Sequence, residues 1–296
     1  MILAIFEALR PRQWTKNLLL FVGVIFAQHL RDPALLMRAA AGFLAFSLLA
    51  GSVYVLNDLM DVESDRQHPR KSRRPIASGR LPVAVAWGML PVLWASVVAL
   101  SMWLGPAFSW IAGVYLASNL AYSLWLKQQV ILDVFLIALG FVLRALAGVE
   151  LIRQVAPDTM VSPWLLVCTF FGALFLATSK RRREMTNAGT HAADQRRVLS
   201  RYTPQLLDVM LTISAATTLM AYALYTIWPA TVAKFGTEAL LFTVPFVAFG
   251  VFRYLFLVNS SETSEDPSTV LLTDRPIQAT VALFLFVALW ILYGRP

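Results

Sequence analysis

Charge is what this 296-residue sequence has least of. Only 14% of its residues are Asp, Glu, Lys or Arg, against 58% hydrophobic, and the mean hydropathy is +0.65. An ordinary soluble domain carries about 25% charged residues. A water-facing surface cannot be assembled from so few, so lipid must be the solvent for most of the chain. No long polar segment is left from which a soluble domain could be built. The single cysteine, Cys168, lies in an apolar run; it excludes a disulfide within the chain and reads as a small buried hydrophobe. His29, His68 and His191 are too scattered to form a metal set. The net charge of +8 does not point to nucleic acid, because the basic residues sit between hydrophobic runs, where they set topology. Met1–Arg12 carries charges and no cleavage site follows a short apolar stretch, so no removable signal peptide is expected.

What is present is a series of spans. Nine stretches approach the roughly 20 apolar residues that a crossing helix needs. They run over about 14–30, 35–56, 83–104, 107–126, 130–149, 162–179, 206–228, 238–258 and 277–293. The expected architecture is an all-α, polytopic membrane helix bundle forming one domain over 1–296. Of the 25 Lys and Arg residues, 19 fall at the N-terminus and in every second loop, five fall on the other side, and Arg144 lies inside a span. The positive-inside rule makes the 19-residue side cytoplasmic. The N-terminus is then inside, and so are the two long polar loops, about 57–82 and 180–204. The second loop could form an amphipathic helix lying on the membrane surface.

The first long loop opens with acids. Asp58, Asp61 and Asp65 stand at i, i+3 and i+7, which places them on one helix face, while Glu63 points away. Three like charges at the C-terminal end of a helix repel one another and oppose the helix dipole, so a cation should neutralise them. An all-oxygen ligand set suits Mg²⁺, which keeps several waters and bridges to substrate phosphates. The basic run Arg66–Arg80 follows directly, with Lys71, Arg73 and Arg74, and a diphosphate needs such cations beside its metal. The bland alternative is a solvated helix end followed by a topology signal.

The string Asn57-Asp58-x-x-Asp61-x-x-x-Asp65, followed by Arg73-Arg74-Pro75-Ile76-Ala77-Ser78-Gly79, resembles the first aspartate-rich motif of the UbiA superfamily. The resemblance implies a nine-helix intramembrane enzyme that uses Mg²⁺ to activate a diphosphate donor. Most members transfer a prenyl group to an aromatic acceptor and carry a second acidic cluster after the fourth helix. Here the matching segment, Tyr122–Asp133, holds one acid, Asp133. Arg10-Pro11-Arg12-Gln13-Trp14-Thr15-Lys16-Asn17, Gly140–Gly148, Ser179-Lys180-Arg181 and Leu272–Pro276 resemble the decaprenyl-phosphate phosphoribosyltransferase branch. That branch implies phosphoribosyl pyrophosphate as donor, a polyprenyl phosphate lipid as acceptor and a product that feeds cell-wall arabinose polymers. A prenyltransferase acting on an aromatic or related acceptor is the alternative. A transporter is disfavoured, because no inverted repeat with paired broken helices is visible.

The catalytic and metal candidates are Asp58, Asp61 and Asp65. Substrate-binding candidates are Lys16, Asn57, Lys71, Arg74, Tyr122, Lys127, Asp133, Arg144, Lys180 and Arg181. Several of these cations could instead be interfacial anchors or topology charges. Asp133 and Arg144 are 11 residues apart, near three turns, so they share a face, but a rise of about 16 Å excludes a direct pair. Arg144 is costly in a span and reads either as a phosphate ligand or as an interhelical hydrogen-bond anchor. Partners are the donor, the acceptor lipid and the membrane, with room for a homo-oligomer. The topology is testable by labelling single cysteines placed at Ser72 and Ser200 in a Cys168→Ala background. Both should react from the cytoplasmic side only; labelling of either from outside alone would overturn the orientation.

Overall fold

A computed structural model of the chain describes residues 1–26, 32–69, 71–157, 162–188, 198–260 and 267–294. Among these residues all regular structure is helical. The chain divides into two compact units, Met1–Leu124 with Leu143–Thr159, and Trp125–Val142 with Met160–Pro296. Seven of the described helices are long and apolar enough to cross a membrane.

The first unit begins with a short helix, α1 (Ile2–Ala8), followed by a 3-10 segment, Pro11–Leu18, and α2 (Leu19–Phe26). The first expected span therefore starts as a 3-10 turn. Pro11 has no N–H to give a helix, and Asn17 is buried with its amide donating to Ser47 Oγ at 3.0 Å. Next comes α3 (Pro33–Met60), whose N-terminus is capped by Asp32 accepting from the Ala34 and Leu35 amides. A brief α4 (Val62–Gln67) continues it, and α5 (Val83–Leu104) and α6 (Pro106–Leu124) pack against it. The 19-residue α6 matches an expected span, yet it is not among the seven, because Ser109, Tyr115, Ser118, Asn119 and Tyr122 dilute its apolar content. Leu20, Phe46, Leu49, Phe108, Tyr115 and Leu151 are the centre of this unit's core.

In the second unit α8 (Pro163–Ala188) lies along α9 (Pro204–Ile227), and α10 (Pro229–Phe235) follows. α11 (Val244–Asn259) packs on the last helix, α13 (Arg275–Tyr293), with α12 (Pro267–Thr273) between them in sequence. Arg183, which the sequence offers only as a topology charge, is buried and donates to the carbonyls of Val258 and Ser260 at the end of α11. The long α7 (Leu132–Arg153) contributes its first half to this unit and its second half to the first. The amphipathic helix expected after Lys180 falls largely on 189–197, outside the described residues. Trp87, Val92, Val98 and Met102 of α5 are all more than half exposed, a surface suited to lipid rather than water.

A glycine permits one close helix contact. A β-carbon on Gly148 of α7 would lie 2.9 Å from Leu20 Cα of α2 and closer still to its carbonyl. Backbones approach this closely where Gly replaces a side chain, as is common between membrane helices. Gly148→Ala should cost on the order of 1–3 kcal/mol by overpacking and lower the thermal midpoint in detergent. Gly88→Ala should leave it unchanged, because a β-carbon there meets nothing within 4 Å. Equal midpoints for the two variants would contradict this packing.

Candidate active site

The polar end of α3 gathers the first cluster. α3 stops at Met60, and Asp61 leaves helical geometry (φ −98°, ψ 9°) while its N–H still bonds the Asn57 carbonyl at 2.9 Å. The helix resumes at Val62 after this break. Asp58 and Asp65 are 3% and 1% exposed, whereas Asp61 is exposed. The single three-acid face expected from the spacing is thus a buried pair with a third acid turned outward by the break. Glu63 points to solvent and pairs with Arg66 at 2.8 Å.

The cations that neutralise the pair come from the chain itself. Arg74 Nη1 donates to Asp65 Oδ2 at 2.6 Å and to Asp58 Oδ1 at 3.0 Å, so one guanidinium bridges both acids. Arg10 Nη2 donates to Asp58 Oδ1 at 2.6 Å, and Lys71 Nζ lies 4.0 Å from Asp65 Oδ1. The motif after the acids is built to aim Arg74. Ile76 and Leu81 are fully buried with Ala4, Ala8, Leu9, Val55 and Leu59. Burying one such side chain stabilises by about 1.5–3 kcal/mol, enough to pin the loop. Gly79 (φ +77°) turns it, and the Leu81 amide returns to the Pro75 carbonyl at 2.9 Å. α1 is held over the loop by Arg80, which donates to both Glu7 oxygens at 2.6 and 2.9 Å and holds that carboxyl below its ordinary pKa. Arg10 occupies the left-handed region (φ +53°) immediately before Pro11, an uncommon conformation for a residue with a side chain. Its guanidinium is kept there by Asp58 and by the Tyr54 ring, 4.6 Å away.

Asp65 Oδ1 is buried and makes no hydrogen bond. A buried carboxylate oxygen without a donor is costly, and with Asp58 beside it the donor set is all oxygen. This fits a hard cation that takes most of its ligands from water and substrate. Among the described residues no three acids converge closely enough to hold a metal alone.

The second unit holds a different cluster. Arg181 and Asp133 are 1% and 0% exposed; Arg181 Nε donates to Asp133 Oδ2 at 2.7 Å and its Nη1 to Glu184 at 2.6 Å. The Tyr202 hydroxyl donates to Asp133 Oδ1 at 2.7 Å and accepts the Ile131 N–H at 2.8 Å. Burial, and then the Asp133 carboxylate, push the Tyr202 phenol above its ordinary pKa, which keeps it a donor. Both oxygens of Asp133 are therefore engaged. Lys127 sits in a 3-10 turn, Leu126–Gln128, and is half-buried, as is Lys180.

Arg144 is 6% exposed in the first unit. Its Nε donates to Asn17 Oδ1 and its Nη2 to Tyr115 Oη, both at 2.6 Å, and its guanidinium lies 4.7 Å from the Tyr115 ring centre. Of its two sequence readings, these contacts supply the interhelical anchor. Lys16 and Tyr122 are half-buried on the 3-10 segment and α6. Sequence reasoning singled out neither Arg10 nor Tyr202. Arg10 stands in a basic N-terminal fringe, and Tyr202 lies in a loop with no periodicity.

The model of the UbiA prenyltransferase family matches residues 18–274. The chain is 34% identical to decaprenyl-phosphate phosphoribosyltransferase of Corynebacterium glutamicum, over 98% of this chain and 87% of that one. It is 32% identical to the protein of the same name from Mycobacterium tuberculosis, over 94% of this chain and 90% of that one. Among solved structures it resembles a UbiA homolog from Archaeoglobus fulgidus bound to GPP and Mg²⁺, with TM-score 0.71 and 21% identity, covering 98% of this chain and 99% of that one. The chain belongs to the UbiA prenyltransferase family.

Proposed function

We propose that the chain is a membrane transferase that moves a 5-phosphoribosyl group from phosphoribosyl pyrophosphate to a polyprenyl phosphate such as decaprenyl phosphate. The observation that carries this reading is the buried Asp58–Asp65 pair crossed by Arg74, in a chain 32–34% identical to proteins named for that transfer. We place the pair and the basic loop on the cytoplasmic side of the inner (plasma) membrane, with the N-terminus inside, from the 19-to-5 division of Lys and Arg. The product would supply arabinose units for cell-wall polymers.

In the reaction the bond between the sugar's anomeric carbon and the pyrophosphate oxygen breaks. A bond forms from that carbon to an oxygen of the acceptor phosphate, and pyrophosphate leaves with the electron pair. A bound Mg²⁺ would be held by Asp58 and Asp65, with exposed Asp61 and half-buried Asn57 beside them, and would offset charge on the leaving pyrophosphate. Arg74, Arg10 and Lys71 are placed to hold donor oxygens, since guanidinium forks match phosphate geometry. An acceptor phosphate is already anionic at neutral pH, so no histidine or cysteine base is needed. The engagement of both Asp133 oxygens by Arg181 and Tyr202 supports a sugar donor, because it leaves no second free acidic cluster in that segment.

Purified protein with labelled phosphoribosyl pyrophosphate and decaprenyl phosphate should carry label into the organic phase, and EDTA should stop it. Asp58→Asn and Asp65→Asn should each cut turnover by about a hundredfold or more, the scale of losing one preorganised charge contact. Lys127→Ala should raise donor KM more than acceptor KM. Wild-type turnover in either Asn variant at saturating Mg²⁺ would remove the acidic pair from the mechanism.

A further inference from the structure

Ile131 is the only β-branched residue among the described ones with a left-handed backbone (φ +70°), and it stands directly before the first residue of α7. For such a side chain this conformation is a genuine outlier. Strain of this kind persists only where the surroundings over-determine it, and it gathers at ligand clamps. The surroundings here are specific. The Ile131 N–H is held by the Tyr202 oxygen at 2.8 Å, and Tyr202 is held by Asp133 at 2.7 Å. Asp133 is in turn held by Arg181 of α8 at 2.7 Å. Val130, next to the strained residue, packs against the buried cluster of Val198, Tyr202 and Leu207. Ile131 lies in the turn closed by the Asp133 amide on the Gln129 carbonyl at 3.1 Å, and the turn before it, closed by the Gln129 amide on the Leu126 carbonyl at 3.1 Å, carries Lys127.

We propose that Tyr202 is a positioning residue: its hydroxyl latches the strained Ile131 turn and thereby sets the adjoining Leu126–Gln129 turn that carries Lys127. The assignment of Lys127 to donor phosphate rests on the function proposed above; the latch itself does not. Asp133 and Arg181, in this account, hold the latch and do not bind substrate. The Leu199–Tyr202 turn and the turn before α7 are then one mechanical unit, joined through a single phenol oxygen that both donates and accepts.

Tyr202→Phe keeps the ring and removes the oxygen. It should raise donor KM about tenfold or more while kcat and acceptor KM stay within about threefold. Hydrogen exchange of the peptide covering 125–134 should accelerate. Adding Ile131→Gly should restore donor KM to within about threefold of wild type and slow exchange again, because glycine adopts positive φ without strain. A general loss of packing would not be repaired by a smaller residue. Unchanged exchange in Tyr202→Phe, or failure of Ile131→Gly to rescue a folded Tyr202→Phe protein, would overturn the latch. Should Tyr202→Phe not fold, Ile131→Gly in the otherwise native chain decides: retained donor KM upholds the account, and a tenfold rise overturns it. Altered exchange, rescued by Ile131→Gly, in a protein that does not use phosphoribosyl pyrophosphate would leave the latch standing and sink the functional reading instead.

Discussion

Two carboxylates taken out of water beside one another set the terms for the first unit. Asp58 and Asp65 lie buried beside one another, and a buried carboxylate is costly unless cations and hydrogen bonds replace the water it has lost. Arg74 answers both acids at once and Arg10 answers one. Removing a partner from such a buried arrangement typically destabilises by about 3–5 kcal/mol, so the local structure is built to deliver them. Ile76 and Leu81 bury the loop that carries Arg74, and α1 lies over that loop with Glu7 on Arg80. Arg10 accepts a left-handed backbone to reach its carboxylate.

The two polar clusters differ in a way that assigns them different work. The network around Asp133 is closed: each oxygen has a donor, and Arg181 has two acids. A fully satisfied buried network rigidifies its neighbours. The network around Asp65 is open by one oxygen, and its cations are about 30–44% exposed at their side chains. An open, partly solvated cluster of carboxylates and guanidiniums can exchange its internal ion pairs for a charged ligand; a closed one cannot without breaking the fold around it.

Much of this was legible in the sequence, and the reason is physical. Apolar run length is dictated by bilayer thickness, so the long helices follow from composition, as does the membrane class. Asp58 and Asp65 are recognisable because seven residues make two turns. The break at Asp61 was not legible, since helix ends depend on where the buried face stops, and nothing in Leu59-Met60-Asp61-Val62 forbids a continuous helix. The pairing of Asp133 with Arg181 spans 48 positions, and no local pattern announces such a contact. Arg144 showed itself as a costly charge in a span, yet its partners, Asn17 and Tyr115, come from other helices. Sequence spacing can say that such a residue must be satisfied, not by whom.

The account stands or falls on which donor the acidic pair serves, and a competition assay measures that directly. Purified protein is given phosphoribosyl pyrophosphate and a prenyl diphosphate at equal concentration, each with its own label, together with decaprenyl phosphate, an aromatic acid and Mg²⁺. The account predicts that sugar label enters the lipid phase on decaprenyl phosphate while the prenyl label stays on its diphosphate, and that Asp65→Asn abolishes the transfer. Prenyl label on the aromatic acid, with the sugar label left in water, would contradict it.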